Sequence, residues 1–206
     1  MPNDPRRLSV VLFEGFELLD VFGPVELFGL VPDHLAVEFI GPEAGPVASS
    51  QGVEAVATIR YAKAPTPDIV LVPGGQGTRS LVSDSAFLTW LRDWSASASL
   101  VTSVCTGSAL LAAAGLLDDY RATSNKAAFE WVRQHGENVE WVAEARWVED
   151  GDRWTSSGIA AGMDMAAALL ANLFGNDVAE TATTRAELET HKDATWDPFA
   201  KIHGLV

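Results

Sequence analysis

Short apolar runs alternate with amphipathic or alanine-rich stretches along the whole chain. Ser9 to Phe13 (SVVLF), Ala36 to Ile40, Asp68 to Val72 (DIVLV) and Leu100 to Val104 are near-continuous apolar runs of strand length, the pattern of strands buried on both faces. Val53 to Ile59 alternates weakly and reads as a further strand or part of a hairpin. Val139 to Val142 and Arg146 to Trp154 read as strands, the latter folded back around Glu149-Asp150-Gly151. Between them, Leu18, Leu19, Phe22, Val25, Leu27 and Phe28 recur at helical spacing, with Pro24 inside the pattern predicting a kink or a break. Ser85 to Ser95, Ser108 to Leu117, Phe129 to His135, Ile159 to Phe174 and Asp177 to Leu188 are the other predicted helices. The fourth of these is apolar on most sides and so belongs near the centre. From His191 onward there is no periodicity.

Strands alternating with helices predict an α/β protein: a flavodoxin-like, three-layer α/β/α sandwich with a mostly parallel sheet. No repeat, low-complexity tract or long linker divides the chain. The expectation is one domain over residues 1–206, with a core at about 8–188 and a tail at 189–206. The apolar fraction of 48% is ample for that core. A net charge of −14 argues against nucleic acid or an anionic membrane as the primary partner and suits a small-molecule substrate. The single cysteine, Cys105, excludes an intrachain disulfide. The N-terminal apolar run is too short for a signal peptide, and no stretch has the length of a membrane helix, so a cytoplasmic, soluble protein is expected.

Ligands of such sheets bind beyond the carboxyl ends of the strands. Three turns at those ends carry unusual residues: Gly15 with Asp20 after the first strand, Pro73-Gly74-Gly75-Gln76-Gly77 after DIVLV, and Cys105-Thr106-Gly107 after LVTSV. Ser103 and Gly107 flank Cys105 at minus two and plus two, the spacing of a nucleophile elbow. A lone cysteine is by itself more often a packed thiol, whereas this spacing at a strand-to-helix junction favours a nucleophile. The helix start beyond it is expected to favour the thiolate. Gly74-Gly75 reads either as an ordinary tight turn or, with the Thr106 amide, as an oxyanion-type site. Asp20 reads equally as a capping carboxylate or as an acid whose proton affinity rises beside a thiolate.

His34, His135, His191 and His203 lie near helix ends or in the tail, so neither a Cys–His hydrolase nor a zinc site is indicated. GGQGT matches no phosphate-loop pattern. The seven tryptophans read as core and interface area.

The stretches LFEGFELLDVFGPVELF, DIVLVPGGQGT, VTSVCTGSALLAAAGLLDDYRATS and TSSGIAAGMDMAAALL together resemble the PfpI-like superfamily of class I glutamine-amidotransferase-like folds, over about Ser9 to Leu188. Two branches carry an aspartate at position 20: isocyanide hydratases and the amidase-like sensor domains of AraC-type regulators. The chain ends at Val206 without room for a helix-turn-helix region, which favours the hydratase branch. The resemblance implies Cys105 as nucleophile, Asp20 as the acid beside it, and the Gly75 and Thr106 amides near the thiolate. It implies no metal, no organic cofactor, and a homodimer with its site near the interface. Many members have histidine where this chain has Asn125, which speaks against peptidase or amidase activity and leaves Asn125 as a pocket residue. Phe16 and Gly74 are further pocket candidates. The competing readings are an oxidative-stress sensor acting through Cys105, a glyoxalase-like protein, and a non-catalytic AraC-type sensor domain.

Overall fold

The computed structural model describes residues 4–206. In chain order its strands are β1 (Arg6–Val11), β2 (Leu35–Gly41), β3 (Gly45–Ala48), β4 (Glu54–Ala57), β5 (Ile59–Arg60), β6 (Ile69–Val72), β7 (Leu100–Val104), β8 (Arg121–Ala122), β9 (Glu140–Trp141), β10 (Trp147–Asp150) and β11 (Arg153–Ser156). The α-helices are α1 (Leu18–Gly29), α2 (Thr78–Leu81), α3 (Ser85–Ser95), α4 (Gly107–Ala113), α5 (Phe129–Val132), α6 (Ala161–Phe174), α7 (Asn176–Arg185) and α8 (Pro198–Ile202).

Seven strands form one sheet in the order β10-β11-β7-β6-β1-β2-β5. Neighbours run parallel except β10 and β11, which form the hairpin expected around Glu149-Asp150-Gly151. This is the helix-covered α/β architecture that the apolar runs predict. Strands β6 and β7 are buried along their whole length. Each fully buried Val, Leu or Ile there contributes about 1.5–3 kcal/mol, which anchors the two strands firmly at the centre of the sheet. The polar Thr102 inside β7 is satisfied by donating to Val70 O at 2.8 Å.

The departures from expectation have local causes. Of the kink or break expected at Pro24, the break does not occur: helix α1 is continuous through it. Packing against α6 holds it: a Cβ on Gly23 would lie 2.9 Å from Met163 Cγ, and one on Gly162 would lie 3.3 Å from the Pro24 ring. That contact offsets the hydrogen bond lost at Pro24. The weak alternation after Val53 becomes β4, paired with β3 outside the main sheet, followed by β5 on its edge. Helix α4 stops at Ala113, ahead of the turn at Gly115 with φ of +74°. Helix α5 is only one turn long. In the tail, Asp197 caps α8 by accepting from the Phe199 N–H at 3.0 Å. Among the described residues no helix is long and apolar enough to cross a membrane.

Candidate active site

Strands β1, β6 and β7 are neighbours in one parallel sheet, so their carboxyl ends open at the same edge. The three turns meet there. Gly15 O accepts from the Gly77 N–H at 3.0 Å, Gly74 O from the Glu17 N–H at 2.7 Å, and Thr106 Oγ1 from the Gly75 N–H at 3.1 Å.

Cys105 has φ of +58°, a left-handed conformation costing a non-glycine residue on the order of 1–3 kcal/mol. Its surroundings hold it there. The Cys105 N–H donates to Ser156 O at 3.2 Å, and its carbonyl accepts from the Ser108 and Ser124 hydroxyls at 3.1 and 2.8 Å. A Cβ on Gly107 would stand 2.2 Å from Val72 O, so the turn into α4 needs glycine at that position. This is the nucleophile-elbow geometry that the Ser103 and Gly107 spacing predicts.

Asp20 reaches Gly74 across the crevice from the first turn of α1 and is fully buried. Its Oδ2 accepts from the Gly74 N–H at 2.9 Å. A Cβ on Gly74 would collide with that oxygen and with the Thr106 amide, at 2.9 and 2.6 Å. The carboxyl therefore bonds to a backbone group of another turn rather than capping its own helix. Its Oδ1 has no nitrogen or oxygen partner among the described residues. The Cys105 thiol lies close enough to the carboxyl for the two to influence each other's ionisation.

Burial pushes the Asp20 carboxyl well above the usual carboxylate range; the nearby Glu17 charge adds to this, while the Gly74 N–H and the thiol pull the other way. The Cys105 thiol is also pushed up, first by burial and then by the Asp20 charge, with the Thr106 N–H opposing. The helix start was expected to lower it. Helix α4 has only seven residues, and desolvation outweighs the terminus. The two groups titrate as a pair, and a neutral Asp20 relieves the repulsion on the sulfur.

Thr106 and Gly75 stand at different distances from the chemistry. The Thr106 N–H acts on the Cys105 thiol directly, opposing the upward shift. The Gly75 N–H is taken by the Thr106 hydroxyl, so in this geometry it supports Thr106 from behind. The Thr78 hydroxyl donates to Gly75 O at 2.7 Å and lies 3.2 Å from the Thr106 hydroxyl. Phe16 is fully buried in the hydrophobic core, with backbone bridges to Ser49 and Gly75. Asn125 accepts from the Ala128 N–H at 3.0 Å through its side-chain oxygen. Its amide nitrogen faces the sulfur across Gly158: a Cβ built there would lie 2.4 Å from Asn125 Nδ2 and 2.7 Å from Sγ. Gly158 thus keeps the space beside the nucleophile open.

Gly158, Ser108, Ser124 and Ser156 escaped the sequence reading. A signal existed for Gly158, because Thr155-Ser156-Ser157-Gly158 leaves the carboxyl end of β11, a fourth strand parallel to β7. Among the described residues no group of His, Cys, Asp and Glu side chains converges as a metal site. A groove of about 830 Å³ lies between α6, α7 and the segment through His191, but it contains none of the elbow residues. Convergent polar groups mark a reactive site better than size does, so the crevice at Cys105 is the candidate.

A parallel α/β sheet with a buried, left-handed cysteine at its elbow and a buried carboxyl beside it defines a recognisable class of protein. The chain matches the DJ-1/PfpI family over residues 6–172 and belongs to that family. It is 35% identical over 181 residues to isonitrile hydratase of Pseudomonas putida, an alignment covering 88% of this chain and 78% of that protein. The crystal structure of a THiJ/PfpI family protein from Pseudomonas syringae superposes with a TM-score of 0.81 at 30% identity, covering 91% of this chain and 76% of the other. Drosophila melanogaster DJ-1beta shares the fold, with a TM-score of 0.79 at 20% identity over 90% of this chain and 99% of that one.

Proposed function

We propose that this protein is an isocyanide hydratase that adds water to R–N≡C to give an N-substituted formamide. The observation that carries the reading is the Asp20–Cys105 pair, a fully buried acid with one oxygen free of hydrogen bonds, close enough to the buried thiol that each shifts the other's ionisation. Similarity to isonitrile hydratase supports it.

The reactive form of the pair has lost one proton and keeps the other on Asp20; from it the Cys105 thiolate attacks the terminal carbon while Asp20 gives that carbon its proton, forming a thioimidate and an Asp20 carboxylate. The carboxylate then takes a proton from an attacking water and passes it to nitrogen. Hydroxide bonded to carbon leaves a tetrahedral S–CH(OH)–NHR adduct. Asp20 removes the hydroxyl proton, the carbonyl forms, and the C–S bond breaks. Formamide departs, and both groups return to their starting states. The Thr106 N–H steadies the charge on sulfur, and Gly75 positions Thr106 through its hydroxyl.

The test follows formamide formation from an aryl isocyanide by ultraviolet absorbance. Cys105→Ala is expected to lose at least about a thousandfold in rate. Turnover that survives this substitution rules out the mechanism. No turnover by wild-type protein with a confirmed reduced thiol transfers the case to the oxidative-sensor reading.

A further inference from the structure

Arg79 and Trp131 lie on two helices that each adjoin residues of the crevice. Arg79 follows Thr78 on α2, the side that supports Thr106. Trp131 lies on α5, the short helix that begins just beyond Asn125. The two side chains meet, with the Arg79 guanidinium carbon 3.4 Å from the centroid of the Trp131 ring. The sulfur of Cys105 is within Coulombic reach of that charge.

Stacking uses the flat faces of a guanidinium and leaves the N–H groups around its edge available to an acceptor. Among the described residues the protein supplies none. Arg7, Arg60, Arg92, Arg121, Arg133, Arg146 and Arg153 each hold a carboxylate and Arg6 bonds Ser99, whereas Arg79, like Arg185 on α7, has neither an ion pair nor a side-chain hydrogen bond among the described residues. This is unexpected in a chain with 28 acidic and 14 basic residues. The nearest competing charge acting on Cys105 besides Asp20 is Glu17, and its Oε1 already accepts from Gln51 Nε2 at 2.5 Å. Behind the indole, the His135 ring meets Trp131 edge-on at 4.8 Å and braces it. Burial and the Arg79 charge both hold His135 toward its neutral form, so no second cation stands there.

We propose that Arg79, presented on the Trp131 ring, is a specificity-determining residue that binds a carboxylate on the substituent of the substrate. Resting on the hydratase reading, this makes the preferred substrates isocyanides that carry an acidic group. The guanidinium fork matches a carboxylate in a way that a flexible lysine would not.

Alkylation of Cys105 tests the anion site without any turnover. Iodoacetate and iodoacetamide both lose iodide to the thiolate, and they differ in one negative charge. Rates are read by intact mass at one pH and one ionic strength. Arg79→Met is expected to lower the ratio of the iodoacetate to the iodoacetamide rate about five- to tenfold, and Arg79→Lys to lower it less. Trp131→Leu, which removes the platform, is expected to lower it as well. A ratio unchanged in Arg79→Met overturns the proposal. In parallel, the KM of Arg79→Met for 4-isocyanobenzoate is expected to rise relative to that for phenyl isocyanide. If wild-type protein hydrates neither isocyanide while the alkylation ratio still depends on Arg79, the hydratase reading falls and the carboxylate site stands. If phenyl isocyanide is hydrated and the ratio is indifferent to Arg79, the carboxylate site falls and the hydratase stands.

Discussion

Where the C-terminal tail meets the body, Arg146 Nε sits 2.6 Å from Asp164 Oδ2, and the His191 N–H fills the other oxygen at 2.8 Å. Beside it, buried Lys126 donates to Thr123 Oγ1 and Ala145 O at 2.7 and 2.6 Å, with Asp197 Oδ2 at 3.8 Å. At the elbow, Asp20 has one oxygen on a backbone amide and the other without a hydrogen bond, near a cysteine of positive φ. Both regions bury charge-bearing groups, but the tail clamp neutralises nearly all of them. Each region leaves one carboxyl oxygen without a hydrogen bond, Asp20 Oδ1 and Asp197 Oδ2, but Asp197 has the Lys126 ammonium 3.8 Å away, whereas the elbow sets an acid beside a thiol, both made harder to ionise. Satisfied buried charge holds structure together, while unsatisfied buried charge is poised to move a proton.

The largest effect on stability belongs to the clamp. Asp164→Ala would leave the Arg146 guanidinium buried without its carboxylate and free the His191 N–H. A loss of about 3–5 kcal/mol in urea unfolding at neutral pH is expected. A loss under about 1 kcal/mol would mean that the clamp opens to water and does not work as a buried pair.

Lys126 gives a smaller effect with a definite sign. Burial lowers its ammonium from 10.5 to about 8, with the Asp197 charge opposing. Between those values the unfolded chain binds more protons than the native one, so this group adds stability as the pH rises. It loses that contribution as the pH falls through about 8. The stability of wild type minus that of Lys126→Met should therefore rise by roughly 3 kcal/mol from pH 7 to pH 10.5. A difference that stays flat across this range contradicts the account.

The same contrast explains what could be read from the sequence. DIVLV and LVTSV announce buried parallel strands because their apolar runs need covering on both faces, and Ser103-x-Cys105-x-Gly107 announces the elbow because only small neighbours permit it. Asp20 could be marked as a candidate, but its partner Gly74 is 54 residues away and depends on strand order. The direction of the shift at Cys105 depends on burial, and local helix position pointed the other way. Lys126, Arg146, Asp164 and Asp197 gave no signal, since their pairing joins the tail to three other parts of the chain. Gly158 was hidden for a related reason: its role is an absence of atoms beside a sulfur 53 residues earlier in the chain.

Asp20→Asn separates the elbow from the clamp through the smallest change in stability. With the carboxyl raised in the native state, the unfolded chain holds fewer protons from about pH 4 up to the native value. The Asp20 contribution is therefore complete below the unfolded value and is lost as the pH rises through the native one. At pH 7 the wild-type group is a liability, which an amide of the same shape removes. Asp20→Asn is expected to be more stable than wild type by on the order of 1 kcal/mol at pH 7, and to lose this advantage near pH 3. Its hydration rate is expected to fall about a hundredfold or more, because an amide has no acidic proton to give to carbon. Thermal unfolding of the two proteins at both pH values, with isocyanide turnover at pH 7, separates the possibilities. A stabilised and crippled variant marks Asp20 as a group held against the interest of the fold. A destabilised variant places Asp20 with Asp164, as a carboxylate whose work is structural.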